Sequence, residues 1–87
     1  MFAVFTGTQF TGTLAPGQTK RWFTFNWPAD RHIVWYVVPT TPKNGAPELD
    51  WDTEVERASS THCTYWITVK NLTSVTVTFE GRYAVLN

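Results

Sequence analysis

The sequence predicts an all-β domain, a small antiparallel β-sandwich of six to eight strands without significant helix, with a barrel as the runner-up. Composition is the first reason. Fifteen threonines, nine valines, two isoleucines and 14 aromatics make up nearly half of the 87 residues, and β-branched and aromatic side chains suit a pleated, half-buried surface. Period is the second: apolar and polar residues alternate through several segments, and no window holds a helical repeat over three turns. Spacing is the third, because turn residues recur at short intervals between those segments.

Taken in order, residues 2–13, "FAVFTGTQFTGT", read as one or two short strands with a bend or bulge at the interrupting glycines. "APGQ", 15–18, is a Pro-Gly turn. In "TKRWFTFNW", 19–27, simple alternation puts Arg21, Phe23, Phe25 and Trp27 on one side, which reads as the buried one, and Trp22, Thr24 and Asn26 on the other. "RHIVWYVV", 31–38, is apolar on both faces, the pattern of a central or doubly covered strand. "PTTPKNGAP", 39–47, is the longest loop, and "ELDWDTEVER", 48–57, is a strand followed by the turn "ASST".

The last third alternates most regularly. Cys63, Tyr65, Ile67 and Val69 share one face of "HCTYWITVKN", with His62, Thr64, Trp66, Thr68 and Lys70 on the other. After a short turn at 71–73, Val75, Val77, Phe79, Gly81, Tyr83 and Val85 form an inward row. The segment "YWITVKNLTSVTVTFE" is similar in pattern to hairpins of immunoglobulin-like and lectin-like sandwiches, a pattern common to many unrelated domains, and no family is assigned from it. Two bulky inward rows of this kind interdigitate in one core between two sheets.

Length and charge bound the function. Eighty-seven residues make a single domain spanning 1–87. The lone Cys63 excludes an internal disulfide and zinc-finger spacing. Seven basic and seven acidic residues, spread along the chain, lack the basic excess of a nucleic-acid binder. Neither a signal-peptide pattern nor an apolar run of membrane-spanning length is present, so the expectation is a soluble chain; zero net charge also argues against attraction to anionic lipid.

The stripe Asp50, Asp52, Glu54 and Glu56 occupies every second position, so all four carboxylates share one face. Neighbours at i and i+2 stand roughly 6.5–7 Å apart, too far for one calcium ion, whose oxygens converge within about 2.5 Å. That spacing falls in the range of inverting glycosidases, but a flat sheet face offers no cleft. The stripe reads as a solvated face. His62 and Cys63 are adjacent and point to opposite faces, so they form no nucleophile–base pair. No nucleophile elbow, phosphate loop or dinucleotide fingerprint occurs. The expectation is a non-enzyme without cofactor or metal. Asn71-Leu72-Thr73 matches the N-glycosylation pattern, and Asn and Thr are equally ordinary turn residues.

Five tryptophans ask for a reason. Trp27, Trp35 and Trp51 sit among apolar neighbours and read as core. Trp22 and Trp66 point away from the rows that look buried, and exposed indoles mark binding surfaces. Two readings follow. One is a non-catalytic carbohydrate-binding, lectin-like module, with Trp22 and Trp66 as stacking platforms and Asn26, Asp50, Asp52 and Thr64 bonding sugar hydroxyls. The other is a structural or assembly domain whose outward aromatics meet another protein surface or a second copy in a homo-oligomer.

Overall fold

A computed structural model describes residues 4–86. Six strands form in chain order: β1 (Phe5–Leu14), β2 (Thr19–Pro28), β3 (Ile33–Pro39), β4 (Leu49–Glu56), β5 (His62–Asn71) and β6 (Val77–Val85). They build two three-stranded antiparallel sheets, β1-β6-β3 and β2-β5-β4, packed as a β-sandwich. The two most regular segments of the sequence, β5 and β6, are the two central strands. The other four are all edges. Residues 2 and 3, expected in the opening strand, lie outside the described residues.

The core follows from the alternation of the central strands. Ile67 and Val69 of β5 meet Phe79 of β6, with Leu14, Trp35 and Val37 closing round them. Aromatic rings fill the remainder in two groups. Phe10 stacks on Trp22 at 5.3 Å, and Phe79 meets Trp22 edge-on at 5.2 Å. Toward the other end Trp27 packs edge-on against Trp35 at 5.2 Å and Tyr83 at 5.0 Å, and Tyr65 lies 5.6 Å from Trp35. Rings this large fit because glycines face them. In the β1–β6 ladder Gly7 is paired with Tyr83, Phe10 with Gly81 and Gly12 with Phe79. A methyl group at Gly12 would lie 2.6 Å from the Phe79 ring, and one at Gly81 would overlap Phe10.

Two bulges set the phase of the edge strands. The β1–β6 register shifts between Thr8 and Phe10, so Gln9 is the extra residue. The β2–β5 register shifts between Thr24 and Trp27, and Asn26 there has φ of 66°, a left-handed conformation that Asn tolerates better than most residues. The buried Thr24 hydroxyl joins the two irregularities: it accepts from Gln9 Nε2 at 3.2 Å and from Trp27 Nε1 at 3.0 Å.

Three expectations are corrected by this arrangement. Trp27 points inward as expected, but the bulge means that Phe23 and Phe25 do not share its face; they are exposed, and Trp22 and Thr24 turn inward. β3 is an edge strand, not a central one: Val34 and Tyr36 form its outward row and are half exposed. Val75 precedes β6 and is exposed, so the inward row starts at Val77.

The turns at one end converge on Asn71. Ala15-Pro16-Gly17-Gln18 closes with Gln18 N–H donating to the Ala15 carbonyl at 3.0 Å, and Gly17 has φ of 73°, the geometry of a type II turn. Asn71 is 0% exposed. Its Nδ2 donates to the carbonyls of Leu14 (3.1 Å), Ala15 (3.2 Å) and Val75 (2.7 Å), while Oδ1 accepts from the Thr73 amide and hydroxyl at 2.8 Å each. Its backbone amide donates to the Gln18 carbonyl at 2.9 Å. One side chain thus ties the end of β1, the β1–β2 turn and the β5–β6 turn together. The buried amide also leaves no room for a glycan on the folded chain.

Asn71→Ala strands several buried polar groups, each costing about 1–3 kcal/mol when unpaired, so urea unfolding is expected to show a loss of at least about 3 kcal/mol. Asn71→Asp is expected to be no better, because a carboxylate would face three carbonyl oxygens. A second expectation concerns pH. Burial, and secondarily the nearby Cys63, pushes the Tyr65 phenol above its ordinary value of 10.0. The folded state therefore holds that proton more tightly than the unfolded chain. The contribution is fully present below the unfolded value and is lost as pH rises from about 10 through the folded one. Urea midpoints measured between about pH 9 and 11 should fall less steeply in Tyr65→Phe than in the wild type.

Candidate functional site

The outer face of the β2-β5-β4 sheet carries most of the residues that the sequence nominates. Register places them in rows across the three strands: Thr19, Lys70 and Asp50; then Arg21, Thr68 and Asp52; then Phe23, Trp66 and Glu54; and Thr64 beside Glu56, opposite the β2 bulge. Trp66 is at the centre of this face, as expected. Trp22 is not on it. Its indole turns into the sandwich against Phe10 and Phe79, because the β2 residues paired with the inward row of β5 are Trp22 and Thr24.

Trp66 is not a free platform. The Arg21 guanidinium lies over its ring, 4.6 Å from the centroid, and Nη2 of the same arginine donates to Glu54 Oε1 at 2.9 Å. Phe23 flanks the indole at 5.2 Å, and Trp66 Nε1 makes a long bond, 3.4 Å, to Glu56 Oε1. Cation, ring and carboxylate therefore hold one another across β2, β5 and β4. An exposed cation–π contact is worth about 0.5–1 kcal/mol, and a surface ion pair about 0–1 kcal/mol.

The remaining nominated residues do not converge on one pocket. Asp50 and Asp52 are exposed and, with Lys70 and Thr68, line a shallow depression of about 190 Å³ at one end of the face. Asn26 is exposed at the opposite end, where its backbone makes the bulge. Thr64 is buried although it lies in the outward row. The acidic stripe stands on an edge strand facing solvent, and Glu54 within it pairs with Arg21 on β2. Among the described residues no group of three or more His, Cys, Asp or Glu side chains is placed to hold a metal ion.

The sequence reading missed Phe23 and Phe25. They are 59% and 61% exposed, and their rings stack at 6.2 Å. Together with Trp66 they form an aromatic row on the β2 side of the face, with the four carboxylates on the β4 side. One signal pointed that way. Asn26 between Phe25 and Trp27 is a residue type suited to left-handed backbone, and one such position reverses the phase of all that follows on the strand.

A double-mutant cycle of Arg21→Met and Trp66→Leu, read by urea unfolding, is expected to give a coupling of about 0.5–1 kcal/mol. That coupling should persist in high salt, because the guanidinium also packs on the ring, whereas an Arg21–Glu54 cycle should lose most of its coupling there. No protein-family model, curated protein or solved structure matches the chain.

Proposed function

We propose that the chain is a structural assembly domain that pairs with a second copy of itself along β2. The observation that carries this reading is the pair Phe23 and Phe25: two adjacent phenyl rings, each more than half exposed, on an edge strand. β2 is bonded to β5 on one flank only, and its other flank offers free backbone groups for strand addition. An antiparallel β2–β2 pair about a two-fold axis brings the phenyl rings of both copies together on one continuous outer face. The alternative edge of the same sheet, β4, carries Asp50, Asp52, Glu54 and Glu56 and repels a like strand. The carboxylates end up at the two far edges of the joined sheet.

Magnitudes make this a reversible association. Full burial of a phenyl side chain contributes about 1.5–3 kcal/mol, and four half-exposed rings supply part of that each. The entropy cost of association is about 4–15 kcal/mol, so the balance rests on the ladder bonds as well as the rings. Saccharide stacking on Trp66, the other reading of this face, finds less support in the geometry. A sugar would have to displace Arg21 from the indole and from Glu54, and phenyl rings beside it offer no hydrogen-bonding group.

Sedimentation velocity over a concentration series tests the proposal. The wild type is expected to move from the 10.0 kDa monomer to twice that mass as concentration rises. Phe23→Ser/Phe25→Ser should stay monomeric with little change in its unfolding midpoint, since both rings are exposed in the monomer. A wild type that remains monomeric throughout, or a double variant that still dimerises, would overturn the reading.

A further inference from the structure

We propose that the outer face of the other sheet, β1-β6-β3, binds a neutral hexose saccharide in the concavity above Ala84. This face is independent of the β2 edge and remains open in the assembly described above. Its rows follow from register: Thr6, Ala84 and Val34 lie across the three strands in one, and Thr8, Arg82 and Tyr36 in the next. Ala84 is the short residue between longer neighbours, so the middle of the sheet dips there. Arg82 does not fill the dip. It folds back along its own strand to Glu80, with Nε and Nη2 at 2.9 Å and 2.8 Å from Oε1. An open concavity of about 500 Å³ results, within the range of about 300–1,000 Å³ common to small-molecule sites.

Its lining has the two kinds of group that a sugar ring needs. The apolar C–H face of a hexose meets the half-exposed Tyr36 ring and the Val34 side chain. The hydroxyls, each both donor and acceptor, meet complementary chemistry: Thr6 and Thr8 hydroxyls that do either, the acceptor-only Glu80 carboxylate, and the donor-only Arg82 guanidinium. The last two are already fixed by each other, so little side-chain ordering is left to lose on binding. Their charges cancel, and so the site selects a neutral sugar over a uronic acid or sulfated one. Unlike Trp66 on the opposite face, Tyr36 has its exposed ring beside an unfilled hollow.

The test titrates cellotetraose, maltotetraose, mannotetraose and galactotetraose, one at a time, into ¹⁵N-labelled protein. At least one is expected to give saturable amide shifts confined to residues 6–8, 34–36 and 82–84. Tyr36→Ala, which removes the ring, and Ala84→Leu, which fills the dip from the solvent side, should each weaken that binding about tenfold or more. Spectra of the variants without sugar check that the sandwich persists. Silence with all four sugars overturns the proposal, as do shifts that map to Phe23, Trp66 and their neighbours, or wild-type affinity in both variants. The wild-type titration alone locates the site, so the result does not depend on either variant folding.

Discussion

The cross-strand pairing of glycines with aromatic rings between β1 and β6 is the constraint on which the rest of this sandwich depends. Three of the inward pairs in that ladder put a ring opposite a residue without a side chain: Gly7 with Tyr83, Phe10 with Gly81, and Gly12 with Phe79. Each ring lies over the glycine it faces, where a methyl group would collide with it. The arrangement lets two narrow sheets enclose the rings of Phe10, Trp22, Trp27, Trp35, Phe79 and Tyr83 around the aliphatic side chains of Leu14, Ile67 and Val69. It also fixes register, because sliding β1 by one residue would set its threonines against the rings and turn its glycines and Phe10 outward.

From that ladder the stack builds across to the second sheet. Phe10 and Phe79 receive Trp22; Tyr83 receives Trp27; and Trp35 sits between Trp27 and Tyr65. Both tryptophans from β2 reach the core only because a bulge separates them, since Trp22 and Trp27 are five residues apart and regular alternation would put them on opposite faces. The bulge in turn is tied to the one in β1 through the Thr24 hydroxyl. Asn71 closes the far end of the same stack, where the turns cross between sheets, and satisfies backbone carbonyls that the end of β1 would otherwise leave buried.

Legibility in the sequence follows the same division. β5 and β6 alternate without interruption, and their inward residues from Cys63 to Val69 and from Val77 to Val85 were readable from period alone. The phase of β2 was not, because a single left-handed residue, Asn26, changes which residues face the core, and alternation carries no record of it. That one shift exchanged Trp22 for Phe23 and Phe25 on the outer face. β3 misled for a different reason. Val34 and Tyr36 made it look covered on both sides, but apolar side chains are common on protein surfaces, and a short edge strand tolerates them. At the candidate site, Trp66 and the acidic stripe were readable as outward; the guanidinium over the indole was not, since Arg21 and Trp66 are brought together only by the β2–β5 ladder.

Having four edges and only two central strands makes edge control the main design problem for this molecule, and the sequence treats the edges unequally. β4 is guarded by a carboxylate at every outward position, and β1 is broken near its middle by the bulge at Gln9. β3 is short and ends at Pro39, which lacks an N–H to donate. β2 too has a bulge, at Phe25 and Asn26, two basic residues and a terminal Pro28, but its half from Thr19 to Thr24 pairs regularly with β5, and it is the strand that exposes two neighbouring phenyl rings. Unpaired edges of this kind recruit further strands unless something prevents it. The apolar outward side chains, rather than any freedom from such devices, set β2 apart from β4, whose outward row is all carboxylate, and the proposed pairing along β2 rests on that contrast.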